Sequence, residues 1–185
     1  MQHSVAPERP FLLYFSTGGA HAPLHVPAAW SDKYKGKFDG GWDAMRKEIF
    51  ARQKKAGIIP KDAKLTKRED AMPAWDSLTP EQKRFAARTM EVYAGFLEHT
   101  DAQVGKLIHA IEASGEADNT LVFYVFGDNG GSAEGGLLGS VNYFAANHGK
   151  PETDEYRTQH IDALGTEHSY THYATGWAWA MDTPY

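Results

Sequence analysis

Leu121-Val122-Phe123-Tyr124-Val125-Phe126-Gly127-Asp128-Asn129-Gly130-Gly131 is the stretch on which the reading of this chain turns. Its first six residues are apolar, rich in β-branched and aromatic side chains, and they stop at a glycine-flanked Asp-Asn pair. Such a run, bounded by turn residues, reads as a fully buried strand. Glycine then lets the chain turn sharply without a Cβ penalty. In an open α/β sheet, ligands bind beyond the carboxyl ends of the strands, which is where Asp128 and Asn129 fall. A carboxylate beside an amide carbonyl offers two hard oxygens, suited to calcium or magnesium. Asp-Asn-Gly-Gly is also a turn sequence that needs no metal. The segment by itself leaves both readings open.

Working outward, residues 79–115 give the best helix signal. Thr79 is an N-cap hydroxyl, Pro80 occupies the first helical position and Gln82 the capping-box position. An apolar stripe runs through Phe85, Val92, Tyr93, Phe96, Leu97, Val104, Leu107, Ile108 and Ile111, and Gly115 is a natural stop. A helix feeding a buried strand is half of a βαβ unit, which predicts an α/β fold with a mainly parallel sheet. Pro10-Phe11-Leu12-Leu13-Tyr14-Phe15-Ser16 is a second buried-strand candidate, followed by a loop carrying His21 and His25. Residues 31–78 are mostly polar, with a helix from about Trp42 to Ala56 ended by Gly57, and read as a lid or connecting insertion. Residues 127–176 carry many glycines and His148, His160, His168 and His172 without a period, as a long functional loop region would.

Composition sets limits on function. The 185 residues are 42% hydrophobic with a formal net charge of -5, enough for one domain with a core and without a basic footprint for nucleic acid. No run approaches the roughly 18 apolar residues that span a bilayer. The first residues lack the basic and apolar regions of a signal peptide, and cytoplasm and periplasm both stay open. There is no cysteine, so disulfides and thiolate metal sites are excluded. No Gly-x-Ser-x-Gly elbow, Walker or dinucleotide glycine pattern is present. His168 and His172 lack the glutamate of the metalloprotease motif and read as surface histidines. Tyr170, Tyr173, Trp177 and Trp179 suit either a pocket or a packed core.

Taken in order, the strand, the His21-Ala22-Pro23-Leu24 loop, the long helix, and the second strand with its Gly127-Asp128-Asn129-Gly130 turn resemble the central part of a bacterial arylsulfatase. That is the formylglycine-dependent sulfatase family, within the alkaline phosphatase-like superfamily. The resemblance covers nearly the whole chain and favours the metal reading. It implies an α/β sulfatase sandwich with a mainly parallel central sheet, incomplete here. It implies that Asp128 and Asn129 ligate calcium, magnesium being the other candidate, and that His21 contacts the ester oxygen of a small-molecule sulfate ester and assists the leaving group. His25 lies outside the motif.

The departures from the family pattern concern the nucleophile. The family oxidises a cysteine or serine of a Cys-x-Pro-x-Arg type motif to formylglycine, and this chain has no such motif; Ser4-Val5-Ala6-Pro7-Glu8-Arg9 puts the arginine one residue too far on. The resemblance therefore implies an internal part of a sulfatase catalytic domain, inactive alone, with the formylglycine outside these residues. The competing readings are a phosphonate or phosphate ester hydrolase of the same superfamily, and a shortened non-catalytic binding protein. Oligomeric state is not legible.

Overall fold

The computed structural model describes residues 9–125 and 130–185. Local sequence signals set its helices. Helix α1 is Ala28–Ser31. Helix α2, Gly41–Ala56, ends at Gly57, whose left-handed φ of 71° lets its N–H reach Gln53 O and Lys54 O. Lys54 and Lys55 in the last turn oppose the negative end of the helix dipole. Helix α3, Pro80–Ala113, has 34 residues. At 1.5 Å rise per residue it is about 51 Å long. Its start is the expected capping box: Gln82 N–H donates to Thr79 Oγ1 at 3.2 Å, and Thr79 N–H donates to Gln82 Oε1 at 3.0 Å. Short helices α4 (Tyr143–Asn147) and α5 (Asp154–Gln159) precede α6 (Thr175–Met181).

The core lies where α2, the first half of α3 and α6 meet. Trp42, Trp75 and Trp177 form a triangle with ring centroids 4.9, 5.6 and 5.6 Å apart. Edge-on packing of this kind adds about 0.5–1.5 kcal/mol per pair beyond burial. Trp177 Nε1–H donates to Ala86 O at 2.8 Å, and Trp42 Nε1–H to Pro73 O at 3.2 Å, so the buried indoles carry no orphan donor. Gly176 is required here: a Cβ on it would overlap the Trp42 indole. Trp42, Arg46 and Trp75 all come from the polar stretch 31–78, whose helix thus turns its few large side chains inward.

The expected parallel sheet is not what the structure shows. Among the described residues no strand is assigned; the only β pairing consists of the isolated bridges Ser140↔His172 and Asn142↔Tyr170. The two apolar runs read as buried strands are exposed instead, with Leu12 at 96% and Val125 at 91%. They face Leu97, Val104, Leu107, Ile108 and Ile111 of the second half of α3 across a groove of about 1170 Å³. The physical reason is that a strand exists only through a ladder with a neighbour. Apolar content predicted burial, but nothing in either run names a partner.

Arg46 joins α2 to the end of the chain. It is 1% exposed, and its guanidinium donates to Trp179 O (2.7 Å), Pro184 O (3.0 Å), Thr66 Oγ1 (2.8 Å) and Thr183 Oγ1 (3.3 Å) while lying 4.2 Å from the Trp179 ring centroid. Arg46→Met keeps much of the volume but strands these acceptors. Urea denaturation should show a loss of about 2–4 kcal/mol; a loss below about 0.5 kcal/mol would mean the acceptors find other donors.

Candidate functional site

The loop that carries His21 is fixed by alternation. Ala22, Leu24 and Val26 are buried in the core cluster, which turns His21 and His25 outward. Val26 N–H donates to Gly165 O at 3.0 Å and His25 Nε2–H to Ser169 O at 2.8 Å, tying the loop to the segment before α6. His25 is thereby a structural tie. His21 is exposed, and its Nδ1 lies 2.7 Å from Ala22 O. A carbonyl only accepts, so this contact places a proton on Nδ1 and leaves Nε2 for a substrate.

Asp128 and Asn129 lie outside the described residues. The chain that leaves them is anchored. Gly131 N–H donates to Asp182 Oδ1 at 2.7 Å, and Ser132 N–H donates to the Tyr173 hydroxyl oxygen at 3.0 Å. Tyr173 is 4% exposed, and burial pushes its phenol up to about 12, so it stays a neutral acceptor at physiological pH. Among the described residues there is no group of three or more His, Asp or Glu that could hold a metal ion. The metal reading therefore stands on the donor chemistry of the pair, one carboxylate and one amide oxygen, which fits a hard divalent cation.

His172, expected at the surface, is 4% exposed. It is held by reciprocal backbone bonds with Ser140 (3.0 and 3.2 Å), and its ring packs 5.4 Å from Tyr143. Its Nδ1–H donates to Tyr173 O at 3.2 Å, and Nε2 faces Glu134 Oε2 at 4.0 Å. Burial, the largest influence, pushes its pKa down, and a charge on His21 pushes the same way; the Tyr173 carbonyl and Glu134 oppose them. His172 is thus a mainly neutral ring close enough to feel His21. His168 is exposed, and its segment is not helical, so the i,i+4 pair does not share a face. Sequence reasoning gave Glu134 and Asp182 no role and read Tyr173 only as a pocket or core aromatic. No local pattern marks them, since their partners lie 38, 41 and 51 positions away.

The described residues thus give an exposed imidazole at His21 and anchored backbone at Gly131 and Ser132, which by themselves name no reaction. Comparison with known proteins supplies the family. The Sulfatase family model matches residues 3–170, and the chain belongs to the sulfatase family. It is 36% identical over 176 residues to an uncharacterized sulfatase of Schizosaccharomyces pombe, covering 94% of this chain and 30% of that protein. It is 30% identical over 178 residues to an arylsulfatase of Klebsiella aerogenes, covering 96% of this chain and 36% of the relative. The chain thus spans about a third of the length of these relatives. Sulfatases are hydrolases of sulfate esters and generally use a metal ion. Among the described residues no helix is long and apolar enough to cross a membrane.

The buried His172 predicts a pH dependence of stability. Its folded-state pKa lies below the 6.5 of a free imidazole, so the unfolded chain binds the proton first as the pH falls. The stabilisation from the neutral ring is complete above about pH 6.5 and is lost as the pH drops through that value toward the folded-state pKa. Thermal melts from about pH 7.5 to about pH 5.5 should show a steeper loss in the wild type than in His172→Gln. Parallel curves would mean that His172 does not couple protonation to folding.

Proposed function

We propose that this chain supplies part of the catalytic site of an arylsulfatase: the leaving-group histidine His21 and the metal-binding pair Asp128 and Asn129. The reading is supported above all by family membership spanning all three residues, together with an outward-facing His21 whose Nδ1 is already committed. The bound cation is calcium, and when bound it supplies positive charge to the sulfuryl oxygens. Asp128 contributes the charged ligand and Asn129 a neutral carbonyl. Calcium takes about 6–8 oxygens, so these two ligands are completed by others.

His21 has the chemistry for the other half of the problem. With Nδ1–H donated to Ala22 O, a protonated ring presents Nε2–H and can donate to the bridging ester oxygen as the S–O bond breaks. The proton then leaves with the alcohol or phenol. The nucleophile, a formylglycine, comes from sequence outside these 185 residues, so the segment alone does not turn over substrate.

Two experiments test this, in the polypeptide that carries this chain with whatever flanking sequence its gene encodes. His21→Ala should reduce hydrolysis of sulfate esters of weakly acidic phenols by about 10²–10⁴-fold, and that of 4-nitrophenyl sulfate by less. An equal loss across leaving groups would assign His21 to sulfate positioning. Asp128→Ala should lower turnover at a fixed calcium level by about 100-fold or more and demand more calcium for half-maximal rate. A rate independent of calcium in both proteins would remove the pair from the metal site.

A further inference from the structure

The chain around His21 is seated on α3 at two points of very close approach. At the first, Gly19 lies against Thr100. A Cβ on Gly19 would stand 2.7 Å from Thr100 Oγ1 and 2.9 Å from its Cγ2, closer than real side chains approach. At the second, Gly95 admits α1, since a Cβ there would stand 2.6 Å from the N and Cα atoms of Ser31. Gly95 and Thr100 are about 7.5 Å apart along the helix axis. His21 falls between the two seats in sequence.

Thr100 is a firm seat. Its hydroxyl donates to Phe96 O at 2.9 Å, and a β-branched side chain in a helix has few other rotamers to turn to. The loop side is closed as tightly. Gly19 N–H donates to Thr17 Oγ1 at 3.1 Å, and His21 N–H donates to Gly18 O at 2.9 Å. The imidazole is carried by this backbone, because its Nδ1–H donates to Ala22 O at 2.7 Å. Downstream, Leu24 is buried and Val26 N–H is held by Gly165 O. Upstream, the contact of Gly19 with Thr100 is the counterpart of that anchor. Gly19 is not among the glycines with a left-handed φ, so the contact, and not the backbone conformation, is what requires glycine there.

From these contacts we infer that Gly19 is a positioning residue for His21, with Thr100 as the stop it rests on. The inference rests on the reading of His21 as the leaving-group histidine. A side chain at position 19 has to push the loop off α3, and the imidazole moves with the loop. A misplacement of about 1 Å can cost about 10²-fold in rate. The loss falls on proton donation to the bridging ester oxygen, which matters most where the leaving group is a weak acid. Shortening Thr100 to alanine removes both of the closest atoms. What remains is its Cβ at 3.3 Å, a separation that a shift of a few tenths of an ångström relieves. The two positions therefore act as a pair.

The test is a double-mutant cycle in the polypeptide that carries this chain, read with a series of aryl sulfates whose phenols differ in acidity. Gly19→Ala should lower turnover of esters of weakly acidic phenols by about 10–100-fold, and that of 4-nitrophenyl sulfate by less. In the Thr100→Ala background the same substitution should cost at least about tenfold less, the mark of two positions in contact. If Gly19→Ala does not fold, Thr100→Ile presses on the same seat from α3 and should show the same selective loss. A merely structural contact would lower the melting temperature and the yield of active protein without changing the dependence on leaving group. An equal loss across the series, or a loss that Thr100→Ala leaves in full, overturns the positioning role while His21→Ala stays leaving-group selective. If His21→Ala itself loses equally across the series, the reading of His21 falls and this inference with it.

Discussion

A guanidinium taken out of water costs several kcal/mol unless its donors are met, and the bonds from the two terminal nitrogens of Arg46, which meet that requirement except at the buried Nε, organise this molecule. Its acceptors are neutral oxygens from two separate places: the Trp179 and Pro184 carbonyls with the Thr183 hydroxyl between them in sequence, and the Thr66 hydroxyl far away. Backbone carbonyls at the end of a helix carry partial negative charge, which is why a cation is stable there without a carboxylate in contact. The consequence is geometric. With α2 gripping both sides of Asp182, that carboxylate is aimed at Gly131, and the segment emerging from the Asp-Asn pair is aimed in turn.

The tryptophan triangle serves the same end from below. Trp42 and Arg46 are one turn apart on α2, so one face of that helix provides both the apolar contact with Trp177 and the polar contact with Trp179 O. Helix α6 is seven residues long, too short to be stable by itself, and is fixed by these two contacts. Opposite this well-packed end, the second half of α3 and the runs at residues 11–15 and 121–125 present apolar side chains to an open groove. The loop that carries His21 is tied to the packed end through Val26 and His25.

What was legible in the sequence was local. Thr79, Pro80 and Gln82 announced the start of α3 because a capping box is satisfied within four residues. Gly57 announced the end of α2 because only glycine takes its φ cheaply. His21, Asp128 and Asn129 were named from motifs of adjacent residues, and their roles stand as the proposal made above. The sheet was misread because hydrophobicity specifies a preference for burial, whereas pairing is a relation with a distant segment. His172 was misread for the same reason: nothing near it in sequence says that Ser140 and Tyr143 will enclose it. Asp182 and Arg46 belong to networks whose separations run from tens of residues to more than a hundred.

The two neighbouring histidines show how burial divides chemical labour. His172 is enclosed by Tyr143 and Tyr173, and its environment disfavours the imidazolium even with Glu134 facing it. It is therefore suited to packing and to donating a hydrogen bond to the Tyr173 carbonyl, not to carrying a proton to a substrate. His21 is exposed, and its Nδ1 is tied to its own loop through the Ala22 carbonyl, which fixes the orientation of the ring. A charge on His21 further disfavours one on His172, adding to the larger effect of burial.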